Sequence, residues 1–207
     1  MSRLDLEHIG SMEFDLLREI GNIGAGNATT ALSQLVNSKI DMKVPKVELL
    51  EFKELSDIVG GAESLVVGIL LTIEGDIDGM MMFMIDKLSA HHIVDILMSR
   101  DTDHLELEDF TEMDLSALQE VGNIIAGAYL SSLSQLTNMT IASSVPYMSI
   151  DMAGAILSVP AIEFGKVADK ALLIQSQFGE EEKEVNGYFI LIPSVDSYEK
   201  IMSSLGL

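Results

Sequence analysis

The polar residues best suited to chemistry occur in two copies of one pattern. Each copy has an aspartate or serine, then a glutamate, an asparagine and a distant proline, at identical spacing: Asp15, Glu19, Asn22 and Pro45 in the first motif, and Ser116, Glu120, Asn123 and Pro146 in the second motif. Between residues 15–46 and 116–147, 15 of the 32 aligned residues are identical without a gap. If the two copies shared only the requirement to pack, their apolar residues would be similar and their polar residues would differ. The retained glutamates and asparagines therefore indicate a functional site in each copy.

The spacing of each motif places its polar side chains on one face of a helix. At about 100° per residue, Glu19 lies about 40° from Asp15, and Asn22 lies about 20° to the other side. The apolar residues Leu17 and Ile20 fall on the opposite side, where they can be buried. The second motif has the same arrangement, so each copy is expected to present a carboxylate and a carboxamide one turn apart.

A glutamate and an asparagine suit only some kinds of chemistry. No histidine or cysteine lies within either motif to activate a nucleophile, and the pair has too few ligands for a catalytic metal site. An asparagine amide can hold a water, as a glutamine does in GTP hydrolysis, and a glutamate can pair with a lysine or arginine of a second protein. Each motif is therefore interpreted as half of a catalytic centre, the other half arriving with the substrate. A docking surface without catalysis is the alternative.

Glycines follow each motif glutamate inside the helical stretches: Gly21, Gly24, Gly26, Gly122 and Gly127. Each is unfavourable in a helix by about 1 kcal/mol relative to alanine. Close packing of the helices is the simpler explanation, and close approach of a partner to the glutamate–asparagine face is the other. A phosphate-binding loop does not fit, because that fingerprint requires a strand before the glycines.

The composition limits the classes of partner. The chain has 207 residues, a net charge of −21 and no cysteine. Such a charge repels nucleic acid and anionic membranes, so a protein partner is expected; the alternative explanation is that the acidic residues only keep the protein soluble. The absence of cysteine fits a reducing cytoplasm, and neither a signal peptide nor a membrane-spanning segment is expected. His91 and His92 diverge by about 100° on a predicted helix, and no metal site is expected.

The apolar pattern predicts an α/β fold. Helical periodicity is found at 13–38, 86–99, 112–138, 151–158 and 194–205, and strand-like runs at 40–53, 64–73, 79–85, 140–150, 170–178 and 187–192. Asn186-Gly187 predicts a tight turn beside an acidic loop at 180–184. A helix–strands–helix unit thus occurs twice, which favours pseudo-two-fold symmetry with helices packed on a mainly antiparallel central sheet. One domain, 1–207, is expected, made of homologous halves at about 1–100 and 112–207 and joined by an acidic linker.

The doubled motif, with G-N-I-x-A-G after each glutamate, resembles the CheC family of chemotaxis phosphatases, within the CheC/CheX/FliY group. The resemblance covers essentially the whole chain. It implies hydrolysis of the aspartyl phosphate of the response regulator CheY, which supplies the phosphoaspartate, its Mg²⁺ and a lysine. Asn22 and Asn123 would orient the attacking water, and Glu19 and Glu120 would pair with that lysine. No cofactor of the chain's own is implied.

The resemblance also implies supporting residues and a second partner. Asp15 and Ser116 would cap or support their helices, and Pro45 and Pro146 would fix the chain where it enters the strand beneath each site. The deamidase CheD would bind the second half, at Asp151, Met152 and Ala155. Two motifs in one chain predict a monomer that contains its own pseudo-dimer. The alternative is a non-catalytic interaction protein, either a CheD-binding regulator or a relative of the flagellar switch.

Overall fold

The computed structural model describes residues 11–36, 41–100, 109–164, 170–180 and 183–206. Its elements, in chain order, are α1 (Ser11–Val36), β1 (Asp41–Glu51), α2 (Phe52–Ile58), β2 (Leu65–Gly75), β3 (Gly79–Asp86), α3 (Lys87–Met98), α4 (Glu112–Thr137), β4 (Ile141–Ser143), β5 (Tyr147–Met152), α5 (Ala153–Phe164), β6 (Lys170–Glu180), β7 (Lys183–Pro193) and α6 (Val195–Ser204). Most of the expected acidic linker, residues 101–108, lies outside the described residues.

The seven strands form one sheet in which every described pair is antiparallel. The order is β1-β6-β7-β3-β2-β4, and β5 also pairs with β2. The α/β fold with a mainly antiparallel sheet is therefore confirmed. Each half forms its own central hairpin but passes its first strand to the other half. Thus β1 pairs with β6 of the second half, and β4 and β5 pair with β2 of the first.

Both faces of the sheet are covered, so its central strands are apolar throughout. In β3, Met81 and Phe83 point into the cluster that also contains residues of α1, α3, α4 and α6. Met82 and Met84 alternate with them and point into a smaller cluster shared with α2 and α5. This period of two on a sheet buried from both sides explains the uninterrupted run GMMMFMI. The helices that carry the two motifs lie together on one face.

Side-chain hydrogen bonds hold the two long helices, α1 and α4: one set caps the start of α4, and another bond joins the two helices. Thr111 caps α4, where its hydroxyl accepts from the Asp114 amide and the Asp114 carboxylate accepts from the Thr111 amide. Asn27 in α1 donates its side-chain amide to the Ser132 hydroxyl in α4 at 3.1 Å. Within the described ranges, no helix is long and apolar enough to cross a membrane.

The predicted tight turn at Asn186-Gly187 is wrong. Both residues lie inside β7, where Asn186 pairs with Gln177 and Gly187 with Ser176. The β6–β7 hairpin extends to the pair Glu180–Lys183, so the predicted acidic loop is largely strand. Backbone pairing of the two strands therefore extends beyond their apolar part.

Two further boundaries differ from the prediction. The strand expected at 140–150 is broken into β4 and β5 by residues 144–146, where Pro146 has no amide hydrogen for the sheet. The helix expected at 151–158 begins at Ala153 and continues to Phe164. The short helix α2 was not predicted; its first turn is stabilised by the Glu51 amide, which donates to the Glu54 carboxylate at 3.0 Å.

Candidate functional site

The first motif lies in the first half of α1. Asp15, Glu19 and Asn22 are all exposed, whereas Leu17 and Ile20 on the opposite side are buried in the main core. Burial of that apolar side fixes the helix on the sheet, so the glutamate and asparagine side chains face outward from a rigid support.

The second motif repeats this geometry in α4. Ser116, Glu120 and Asn123 are exposed, and Leu118 and Val121 are buried behind them. A capping role for Ser116 is wrong, because it lies in the second turn and its hydroxyl donates to the Glu112 carbonyl at 2.9 Å. Thr111 is the cap of this helix. In α1, Asp15 likewise lies four residues after Ser11, the first described residue of the helix.

A cleft of about 400 Å³ opens beside the second motif. One wall is the polar face of α4, and the other is residues 143–146, which we call the wall segment; the lining side chains are those of Ser116, Gln119, Glu120, Asn123, Ser143, Ser144, Val145 and Pro146. The second glutamate and asparagine therefore share a concave site large enough for a phosphoryl group, a water and part of a partner's loop.

The wall segment is held from two sides. Gln119 in α4 donates its side-chain amide to the Pro146 carbonyl at 2.7 Å. The Ser144 amide donates to the Thr72 carbonyl at 3.0 Å, and the Thr72 amide donates to the Ser144 hydroxyl at 3.0 Å. These bonds tie the segment both to the motif helix and to β2, so the cleft is preformed.

The two prolines have different surroundings. Pro146 directly precedes β5, as expected for a residue that fixes entry into a strand. Pro45 instead lies inside β1, where the pairing with β6 shifts register between Lys43 and Lys46. A proline cannot donate to the sheet ladder, so one copy interrupts the strand and the other accommodates the proline at an irregularity.

Val145 lines the cleft and is 84% exposed, and the corresponding residue of the first copy is also a valine, Val44. Tyr147 is 70% exposed and pairs with Leu70, which packs on the face of the sheet opposite the motif helices. The residue that corresponds to Tyr147 in the first copy is Lys46, which is exposed and pairs with Glu48 at 2.8 Å. Arg18, also exposed, corresponds to Gln119. The surroundings of the two motifs thus differ in charge.

The glycines divide into two kinds. A Cβ on Gly24 would lie 2.5 Å from Cδ1 of Tyr129, and one on Gly122 would lie 2.6 Å from Cδ1 of Ile69. These two glycines permit close packing, as the simpler explanation held. A Cβ on Gly26 or Gly127 would meet nothing within 4 Å. Internal packing therefore does not explain this second pair, which lies one turn beyond the motif asparagines.

Two titratable side chains with shifted pKa values, Tyr129 and Asp114, stabilise the motif helix α4. Burial raises the pKa of Tyr129 to about 12, against the opposing effect of its hydrogen bond with Ser176. Burial also raises the pKa of Asp114, but hydrogen bonds from Thr111 and the ion pair with Arg100, at 2.8 Å, outweigh it and leave that pKa lowered. Tyr129 is thus neutral and Asp114 charged near neutral pH, which stabilises the start of α4.

Metal ligands are not clustered in the part of the chain that the structure describes: no group of three histidine or acidic side chains could hold an ion there. His91 is half-buried and stacks on Phe110, with ring centroids 3.9 Å apart. In the turn between β2 and β3, Asp76 accepts from the Thr140 amide and Asp78 from the hydroxyls of Ser194 and Ser197. These acids join the first half to the second.

The expected CheD contacts lie at the junction of β5 and α5. Asp151 and Met152 are the last residues of β5, Ala155 is in the first turn of α5, and all three are exposed. The adjoining helix surface is apolar, with Val159 and Ile162 exposed as well. Ala155, Val159 and Ile162 belong to α5, which packs on the face of the sheet opposite the motif helices, and Asp151 and Met152 directly precede that helix.

Reasoning from the sequence missed Gln119, Ser144 and Val145, which line the cleft. The repeat contains a usable signal for Gln119, because the two copies differ there and the first copy has Arg18. Attention to identical positions alone passes over residues that distinguish the copies.

Comparison with known proteins assigns both motifs to one family. The CheC-like family matches residues 12–49 and 113–150. Over 198 residues the chain is 39% identical to the CheY-P phosphatase CheC of Bacillus subtilis, covering 94% of each chain. Over 191 residues it is 20% identical to the putative CheY-P phosphatase CheC1 of Halobacterium salinarum, covering 91% of this chain and 94% of the other.

Solved structures share the fold. FliY of Thermotoga maritima superimposes with a TM-score of 0.77 at 24% identity, covering 96% of this chain and 98% of that one. The middle domain of FliM from H. pylori gives a TM-score of 0.64 at 14% identity, covering 95% and 99%. The same architecture therefore occurs in FliY and in the middle domain of FliM.

Proposed function

The chain belongs to the CheC-like family, and we propose that it is a phosphatase that hydrolyses the aspartyl phosphate of the chemotaxis response regulator CheY. The observation that carries this proposal is the exposed glutamate–asparagine pair, one turn apart on a helix with a buried back, present twice in one chain. The relative that is 39% identical over nearly the whole chain is a CheY-P phosphatase, which supports the same reaction.

In the proposed reaction, each site supplies orientation. The carboxamide of Asn22 or Asn123 holds a water in line with the phosphorus. The water oxygen attacks the phosphorus, the bond from phosphorus to the aspartyl oxygen breaks, and inorganic phosphate and the free aspartate carboxylate are released. Placing a water in this way lowers the entropic part of the barrier without any covalent intermediate on the enzyme.

Glu19 and Glu120 fix the register of the complex by pairing with a lysine of the regulator. We assign Mg²⁺ to the regulator as well, because a glutamate and an asparagine offer too few ligands to hold it. The metal neutralises phosphoryl charge, which leaves the chain to position the water. Asp15 and Ser116 support the two faces at their N-terminal ends, and Pro45 and Pro146 shape the strands beneath them.

Phosphate release from the Mg²⁺-bound phosphorylated regulator tests the proposal. Replacing both asparagines, Asn22→Ala with Asn123→Ala, should abolish acceleration while circular dichroism and the melting temperature stay unchanged. Asn27→Ala is the matched control, since Asn27 lies on α1 but donates to Ser132; it should retain activity. Acceleration that persists in the double variant would exclude the assigned role of the asparagines.

A second interaction, with CheD, is favoured by the surface of α5. Met152, Ala155, Val159 and Ile162 form an exposed apolar surface with Asp151 at its edge, a composition typical of a protein contact. Met152→Glu should abolish binding to CheD measured by calorimetry, whereas Leu35→Glu, an exposed site near the end of α1, should not. If Met152→Glu leaves binding unchanged, CheD contacts a different surface of the chain. If the chain binds CheD but does not accelerate phosphate release, it is a regulatory protein and not an enzyme.

We further propose that the chain acts in the cytoplasm as a monomer, one domain whose two homologous halves correspond to the subunits of a dimer. The exchange of edge strands between the halves supports this proposal, because it closes the pseudo-symmetric sheet within one chain. Light scattering after size exclusion should give the 22.5 kDa of one chain, and a mass of twice that value would contradict it.

A further inference from the structure

We propose that Gly26 and Gly127 are contact points for the phosphorylated response regulator, at which a loop of that protein lies directly against the bare backbone of each motif helix. The inference rests on the proposed phosphatase function and specifies where its partner touches the chain. The glycines leave the space beside Asn22 and Asn123 uncovered, and the segment of the regulator that carries the phosphoaspartate occupies that space.

Neither glycine is required for packing inside the described part of the chain. Both are exposed, and a Cβ on either would meet no atom of the described residues within 4 Å. Glycine is the least favourable residue in a helix after proline. Both copies nevertheless have it at this position, whereas the exposed position four residues later differs, with Thr30 in one copy and Ser131 in the other. A residue that weakens its own helix without an internal contact indicates contact with another molecule.

The two glycines share the helix face that carries the motif residues. At about 100° per residue, Gly26 lies about 20° from Glu19 and about 40° from Asn22, between the two, and about one turn beyond the asparagine. Gly127 has the same relation to the second motif, because the spacing is identical. Each glycine therefore belongs to the surface that must meet the partner when the glutamate and the asparagine do.

A side chain at either position would cover the neighbouring asparagine. The Cα–Cβ bond of a helical residue is tilted toward the N-terminus, so a side chain lies over the turn that precedes its own Cα. A side chain at position 26 would thus lie over the turn that carries Asn22, and one at position 127 over the turn that carries Asn123. The hydrogen atom of glycine leaves this approach to the proposed water-binding amide open.

The cleft at the second motif identifies the molecule that fills this space. Its lining on α4 runs from Ser116 to Asn123, and the wall segment forms its other side. Gly127 lies beyond the asparagine, outside this lining and exposed. A phosphoaspartate belongs to a folded protein, which is too large for a cleft of about 400 Å³. The chain next to the phosphoaspartate therefore stays outside the cleft, where the open helix face at Gly127 receives it.

Substitution of each glycine in a chain with one working site tests the contact. With Asn22→Ala only the second motif can turn over, and kcat and KM for the phosphorylated regulator are then measured for Gly127→Ala and Gly127→Leu. Because added atoms prevent close approach, KM should rise about fivefold with alanine and at least about 20-fold with leucine. The same series at Gly26, in the Asn123→Ala chain, should give the same order. Unchanged KM values in both leucine variants would overturn the proposal.

Stability separates contact with the partner from a role in folding. Alanine favours a helix over glycine, so Gly26→Ala and Gly127→Ala should each raise the melting temperature by up to about 2–4 °C while KM becomes worse. Gln34→Leu and Gln135→Leu are the matched controls, because both glutamines are exposed on the motif helices and lie about 18 Å along the helix from the asparagines; KM should not change in either. A lower melting temperature in an alanine variant would reveal an internal contact and overturn the proposal.

Failure of this inference can be told apart from failure of the proposed function. Binding is measured alongside turnover, by fluorescence anisotropy of the labelled regulator carrying beryllofluoride in place of the phosphoryl group, with both asparagines intact and both glycines replaced by leucine. If the wild-type chain gives no turnover but the double leucine variant still weakens binding at least about 20-fold, the contact stands and the phosphatase proposal falls. If turnover is normal and the double variant changes neither binding nor KM, only the contact is wrong.

Discussion

The first and second motifs share their chemistry and differ in their surroundings. Both present a glutamate and an asparagine from a helix with a buried back, and the second lines a preformed cleft. Where the second copy has Gln119 and Tyr147, the first has the cations Arg18 and Lys46. The duplicated sequence has therefore preserved the glutamate and the asparagine while neighbouring residues diverged in charge. Affinity, more than chemistry, should distinguish the two sites.

The largest effect is expected from removing one asparagine at a time. Loss of a group that orients the reacting water should reduce the rate of its own site by about 100-fold. With the regulator below its KM, Asn123→Ala should therefore remove most of the total activity and Asn22→Ala less than half. Initial rates of phosphate release over a range of regulator concentrations measure this. Equal losses from the two variants would mean that the surroundings do not matter.

The next largest effect is a loss of stability at the glycines that let the two motif helices pack closely. Gly24→Ala places a methyl group against the ring of Tyr129, which is buried and bonded to Ser176, and should lower the free energy of unfolding by about 1–3 kcal/mol. Gly122→Ala would bring a methyl group to 2.6 Å from Cδ1 and 2.9 Å from Cγ2 of Ile69; it should cost less, because an aliphatic side chain repacks more readily than a ring held by a hydrogen bond. Urea unfolding of both variants tests the difference; a larger cost at Gly122 would contradict it.

A smaller effect follows from exchanging Gln119 and Arg18. Gln119→Arg puts a longer, charged side chain where the Gln119 amide donates to the Pro146 carbonyl at 2.7 Å. Misplacing that bond, worth about 1 kcal/mol, should loosen the wall segment and raise KM of the second site about fivefold. Arg18→Gln should lower the salt dependence of the first site. Both are measured in backgrounds with the other asparagine replaced. A Gln119→Arg variant that keeps its KM would show that this bond does not hold the cleft.

The smallest expected effect is a gain in stability that should be equal in the two copies. Gly26 and Gly127 lie in open space, so alanine at either should raise the free energy of unfolding by up to about 1 kcal/mol through helix propensity alone. Thermal and urea unfolding of the two single variants should give equal gains. A loss of stability at either position would reveal a contact that only one copy makes.

The motif faces could be predicted from the sequence because their causes are local. Asp15, Glu19 and Asn22 follow helical spacing, and Leu17 and Ile20 between them mark the buried side. Any helix formed by these residues must put the polar groups together, whatever it packs against. The antiparallel α/β fold was predictable for a related reason, since short connections between apolar runs restrict how strands pair.

The features that could not be predicted depend on contacts between residues that are far apart in the sequence. No local pattern reveals that Asn186 continues a strand opposite Gln177, because the turn signal at Asn186-Gly187 is overridden by pairing across the sheet. No local pattern reveals that β1, in the first half, pairs with β6 of the second half. The cleft escaped prediction because Pro146 and Gln119 come together only after folding.

The exchange of edge strands has a consequence for the order in which the protein is made. β1, which follows the first motif helix, pairs with β6, and Asp41 and Gly179 are partners at the far end of that pairing. During synthesis domains form from the N-terminus onward, but here β1 must leave the ribosome as an unpaired edge and stay so until Lys170–Glu180 emerges. An unpaired edge is a template for other chains. Translation speed between these strands, and chaperones that shield β1 meanwhile, should thus govern how much active protein a cell obtains.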